Sequence, residues 1–130
     1  MASPSYGFGK TLHAPFADVL PRTRKALQDE GFGVLTEIDV QATLHEKLGL
    51  QTTPYVILGV CDPRFASKAL MAEPEIGLFL PCNVIVYSTA EGTRVSALDP
   101  EAVVGLTGIE ALGEMAAEVK SRLRRAVEQL

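Results

Sequence analysis

The sequence predicts an α+β domain: helices packed over a mostly antiparallel sheet of about five strands, closed by a long C-terminal helix. Strand-like and helix-like segments follow in the order β-α-β-α-β-α-β-β-(α)-α. The runs on either side of Ala90-Glu91-Gly92 read as a hairpin, so the sheet is not purely parallel. No Gly-rich loop follows the first strand, as a doubly wound nucleotide fold would require.

Tyr6 to Leu12 is the first strand, with Tyr6, Phe8, Lys10 and Leu12 on one face and Gly7, Gly9 and Thr11 on the other. Glycines at two same-face positions leave that face bare for close approach of another backbone. Phe16, Val19, Leu20, Thr23, Ala26 and Leu27 recur at helical spacing between Ala14 and Glu30, and Gly31 stands where a left-handed terminator belongs. Pro21 fits this helix if it starts near Ala17, because the first N–H groups have no acceptor inside a helix. Phe32 to Ile38 is the second strand, with Phe32, Val34, Thr36 and Ile38 sharing a face.

Asp39 offers an N-cap oxygen to a short helix, Val40 to Leu48, ended by Gly49 and packed through Val40, Leu44 and Leu48. Thr53 to Cys61 is nearly all apolar and rich in β-branched residues, which marks a buried central strand. Asp62-Pro63 is a cap followed by proline at the first helical position, and its helix must stop before Pro74. Leu78 to Thr89 is the longest apolar strand, with Pro81 at its first ladder position or on a bulge. After Thr93 to Leu98, Asp99-Pro100 opens about one helical turn, to near Gly105. Thr107 and Glu110 have capping-box spacing, and Leu112, Met115, Ala116, Val119, Leu123, Ala126, Val127 and Leu130 carry the last helix.

The chain has 130 residues, 47% of them hydrophobic, so one domain over 1–130 with its own core is expected and a disordered chain is excluded. A net charge of −4 opposes nucleic-acid binding by bulk charge. The N-terminal MASPSYGFGK lacks an apolar core and no run is long enough to span a bilayer, so a soluble, cytoplasmic protein is expected.

Three segments, G-F-G-V-L-T-E-I-D-V from Gly31, P-Y-V-I-L-G-V-C-D-P from Pro54 and L-P-C-N-V-I-V-Y from Leu80, together resemble the bacterial family called domain of unknown function 302. The resemblance runs from the first strand to the last helix. It implies a curved antiparallel sheet of the TATA-binding-protein-like group and a homodimer. It implies no activity, and a shared fold does not bring DNA binding with it.

Among candidate site residues, Cys61 ends the third strand and Cys82 begins the fourth. If those strands are antiparallel neighbours, the thiols lie at one end of the sheet, where they could bind a soft ion such as Cu(I) or Zn²⁺ or cycle with a disulfide. Both also read as small buried hydrophobes, with no CxxC spacing. Asn83 is polar in an apolar strand, so a buried amide needing a partner is expected there, and Cys82 with Asn83 is the candidate pocket edge. His13 and His45 read as surface imidazoles, Asp39 as a cap, Glu37 as a solvated strand residue, and Lys120 to Arg125 as a solvated helix end. No GxSxG, triad context or phosphate loop occurs, which favours a non-enzymatic role without a cofactor.

The leading expectation is a homodimeric binding or sensing domain with an apolar small-molecule pocket between sheet and helices, rimmed by Cys61, Cys82 and Asn83. The alternatives are a thiol-dependent metal or redox protein and a structural or interaction module.

Overall fold

The structure, a computed structural model, describes residues 3–130; Met1 and Ala2, which the one-domain expectation included, lie outside the described residues. The elements are β1 (Gly7–Leu12), α1 (Phe16–Asp29), β2 (Gly33–Asp39), α2 (Val40–Leu48), β3 (Tyr55–Cys61), α3 (Pro63–Ala72), β4 (Cys82–Thr89), β5 (Gly92–Leu98), α4 (Pro100–Thr107) and α5 (Gly113–Glu128). The fold is α+β, as predicted. Among the described residues five strands form one sheet in the order β1-β5-β4-β3-β2, every neighbouring pair antiparallel. Strands β1 and β2 are consecutive in the chain yet occupy opposite edges, so α1 must cross the sheet between them, and it touches β2, β4 and β5 on the way.

The pairing register assigns every strand residue a face, because directly opposed residues share one. Phe8 and Leu12 of β1, Val95 and Ala97 of β5, Val84 and Val86 of β4, and Val56, Leu58 and Val60 of β3 point under the helices. They form one core with Val19 and Leu27 of α1 and with Ala116, Val119, Leu123 and Val127 of α5. The opposite face carries Tyr55, Ile57, Asn83, Ile85, Tyr87, Arg94, Ser96 and Leu98, and its isoleucines and tyrosines stay half-buried. No helix among the described residues is long and apolar enough to cross a membrane.

Local chemistry sets the clearest boundaries. Asp39 accepts from Ala42 N at 2.9 Å and Asp62 from Arg64 N at 3.0 Å, so α2 and α3 start where their caps stand. Gly49 closes α2 in the left-handed conformation, φ 67°.

Several expectations need correction. Helix α1 begins at Phe16, one residue before the expected start, and Pro21 lies inside it on the exposed side, as does Ala17, whose carbonyl a proline cannot serve. In β2 the register shifts between Val34 and Thr36, and the extra residue Leu35 turns the rest of the strand over. Val34 therefore faces the helices with Val60, whereas Thr36 and Ile38 pair with Gly59 and Ile57 on the other face. Helix α2 buries none of its residues. Residues Pro74–Phe79 form a 3-10 helix, and β4 starts only at Cys82, after a cis Leu80-Pro81 bond. Helix α4 runs on to Thr107 because left-handed Gly108, not Gly105, ends it. The capping box does not form: Thr107 belongs to the last turn of α4, where its Oγ1 donates to Val104 O at 2.7 Å. A 3-10 turn, Glu110–Leu112, precedes α5.

Candidate functional site

Strand β3 delivers Cys61 at its last position and passes directly into the Asp62-Pro63 start of α3. Strand β4 begins beside it with Cys82 opposite Val60. The antiparallel condition is therefore met, and both thiols lie at one end of the sheet; both are free. They line a cavity of about 290 Å³ whose walls include Phe32, Leu35, Phe65 and Leu70. Cys82 sits on the core face, while Cys61 is half-buried at the strand end.

Asp62 is the only charged residue of this lining, and its charge is already answered. Its carboxylate caps α3 and takes a hydrogen bond from Arg122 Nη2, while Arg122 Nη1 donates to Glu30 O at 3.1 Å. The guanidinium lies 4.9 Å from the centre of the Phe32 ring, and among the described residues its buried Nε has no hydrogen-bond partner. Burial pulls the Asp62 carboxyl upward, but the hydrogen bonds from Arg122 and the Arg64 backbone, with the guanidinium charge, outweigh it and hold the pKa below its ordinary value. Arg122 thus departs from the solvated helix end expected over Lys120 to Arg125. Its true position is legible only as a flank of the Val119–Leu123–Ala126 stripe.

Burial raises the pKa of both thiols. Cys82 is pushed up to about 11, by burial first and by Cys61 second. Cys61 is raised by burial and by the neighbouring Asp62 carboxylate. The cavity thus presents two neutral thiols, which behave as small apolar surface at neutral pH. Iodoacetamide at pH 7.5 is expected to label Cys61 slowly and Cys82 only on unfolding. Mass analysis of the labelled peptides checks this, and comparable labelling of both in the folded protein would contradict it.

Asn83 does not join this cavity. The pleat that turns Cys82 inward turns Asn83 outward, where it is exposed, so the expected buried amide does not exist. It stands opposite Gly59, where a side chain would collide with Thr36 and Pro81. It lines a separate cavity on the open face, with Ile85, Tyr87 and Arg94.

The other candidates have structural employment. Glu37 pairs with Arg24 at 2.6 Å, and His13 Nδ1 hydrogen-bonds to Glu91 O at 3.0 Å. Lys120 holds Asp99 at 2.9 Å and Glu101 at 3.4 Å. Among the described residues no group of three or more His, Cys, Asp or Glu could hold a metal ion.

Fold and cavity together define an α+β domain with a thiol-lined apolar site at one sheet end. The sequence pattern of the family described as "Domain of unknown function DUF302" matches residues 8–130, and the chain belongs to that family. It is similar to the crystal structure of an uncharacterized conserved DUF302 protein from Bacillus stearothermophilus, with 33% identity and a TM-score of 0.87 over 96% of this chain and 98% of that one. No curated protein matches.

Proposed function

We propose that the protein is a non-enzymatic, homodimeric ligand-binding or sensing domain that takes a small apolar molecule between the sheet end and α3. The observation that carries this reading is the cavity of about 290 Å³ with apolar walls, its one lining charge already neutralised by Arg122. That volume is near the lower end of ligand pockets, roughly 300–1,000 Å³, and suits a compact uncharged molecule.

The dimer is supported by β2 and α2. Leu35, Ile38, Leu48 and Leu50 are 48–67% exposed on this edge, and an edge strand with uncovered apolar residues invites pairing with a second copy. Leu35 belongs both to that surface and to the cavity wall, so a second copy seated on β2 would also close the cavity. Likeness to the TATA-binding-protein-like group carries no DNA binding, and the net charge of −4 opposes it.

Native mass spectrometry of untagged, gently purified protein tests both halves. The expected result is a dimer carrying an organic mass excess that is lost on denaturation. Ala66→Trp, which fills the cavity from α3, should abolish the excess and leave the dimer. A clean monomer without excess overturns the reading. The adjacent thiols support a second reading, soft-metal binding. It requires Cu(I) uptake that Cys82→Ser abolishes, and unchanged uptake in that variant would exclude it.

A further inference from the structure

We propose a second ligand site, on the opposite face of the sheet, in which Arg94 receives the carboxylate of a small organic acid with an apolar body. This goes beyond the thiol cavity and does not depend on it. Arg94 lies in the middle of β5, between Thr11 of β1 and Tyr87 of β4, and is 4% exposed. Its partners are two neutral hydroxyls: Nε donates to Ser96 Oγ at 3.1 Å and Nη2 to Ser3 Oγ at 2.9 Å. Among the described residues no carboxylate pairs with it. The other well-buried arginine, Arg122, has Asp62. A guanidinium largely removed from water without a counter-charge is costly, and among the described residues hydrogen bonds engage only its Nε and Nη2, leaving Nη1 for solvent or a ligand. An anion would supply both missing terms, and a carboxylate matches the planar fork.

Space for the rest of the ligand adjoins the guanidinium. A cavity of about 310 Å³ lies over β4 and β5, with Pro4 and Tyr6 of the N-terminal segment on one side. Its walls are mostly apolar, with Ile85, Leu98 and the ring of Tyr87, which stacks on Tyr55 at 5.1 Å; Asn83 and Ser96 are its neutral polar lining, and Gly7 contributes no side chain to fill it. Along β5 the run from Arg94 to Leu98 covers about 13 Å at roughly 3.3 Å per residue, enough for a medium-length chain or a ring with a short tail. Walls this apolar select an organic acid over a free inorganic anion, whose remaining oxygens would face hydrocarbon.

Titration calorimetry on the full chain, with octanoate as probe and octan-1-ol and inorganic phosphate as comparisons, tests the proposal. Octanoate is expected to bind, and both comparisons to bind at least about tenfold more weakly. Arg94→Gln should weaken octanoate by about tenfold or more. Should that variant fail to fold, Ile85→Trp fills the cavity from the half-buried wall and must weaken binding by a similar factor. Ala66→Trp, in the thiol cavity, must leave octanoate binding unchanged. The proposal is overturned if octanol or phosphate binds as well as octanoate, or if octanoate does not bind. It is overturned equally if Arg94→Gln or Ile85→Trp binds octanoate as tightly as the parent, or if binding is lost in Ala66→Trp.

Discussion

Asp62→Ala is expected to destabilise the protein by about 3–5 kcal/mol, the range for removing one partner of a buried ion pair. Asp62 and Arg122 have side-chain exposures of 6% and 12%, so the cation left behind could not recover its hydration without moving. Arg122 would keep its contact with Glu30 O and the face of Phe32, neither of which neutralises a charge. The same substitution removes the cap of α3, worth about 1 kcal/mol by itself. Against a total stability of about 5–15 kcal/mol, that loss is a large fraction. Arg122→Met in the Asp62→Ala background should recover part of it, because the unpaired charge then disappears. Urea unfolding of both single variants and the double variant measures the coupling. Equal and additive small losses would show that the pair contributes little.

The same pair fixes a pH dependence. The folded-state pKa of Asp62 lies below its ordinary value of 3.8, so the carboxylate stabilises the fold above that pH. The contribution disappears as pH falls through the depressed native value. Asp62→Asn should therefore be less stable than the parent by a constant amount from pH 8 to about 5, with the gap closing below about pH 4. A gap that widens in acid would contradict the assigned sign.

What could be read in the sequence was local. Asp39 and Asp62 are caps whose consequences appear within three residues, so the starts of α2 and α3 were legible, and Gly49 marked the end of α2. Features that depend on register were not. One extra residue at Leu35 reverses the faces of Thr36 and Ile38, and nothing in the apolar spacing announces it. An apolar strand suggests a buried Asn83, but with both faces of β4 apolar the spacing cannot say which is covered. Antiparallel pairing of β3 and β4 puts Cys61 and Cys82 at one end of the sheet, because pairing direction alone decides which strand ends meet. Arg122 with Asp62, 60 residues apart, and the uncompensated Arg94 are products of tertiary packing. Their sequence trace is a single arginine at the margin of an apolar run.

Gly92→Ala is expected to cost about 3 kcal/mol or more, and the reason lies in how the β4–β5 hairpin closes. Thr89 pairs with Gly92 across Ala90 and Glu91. Tight two-residue turns that match strand twist need positive φ within the loop, yet neither loop residue adopts it. The conformational demand falls on Gly92 at φ 142°, a region nearly closed to other residues, costing about 1–3 kcal/mol for a side chain. A Cβ there would also collide with Leu12 O and come within 3.1 Å of Leu12 C and His13 Cα, all backbone. Side-chain rotation cannot relieve that, so β1 must move away from β5. The junction has little freedom to do so, since Thr93 Oγ1 donates to Ala14 O at 2.8 Å and His13 is tied to Glu91. Gly49 is the control: its φ is 67° and a Cβ would meet nothing within 4 Å, so Gly49→Ala should lose only the left-handed penalty, about 1–2 kcal/mol. Urea unfolding of the two variants separates strain from collision, and hydrogen exchange should show the β1 amides opening first in Gly92→Ala. Equal losses in the two variants would mean that backbone contact with Leu12 contributes nothing and that the hairpin does not hold β1 in place.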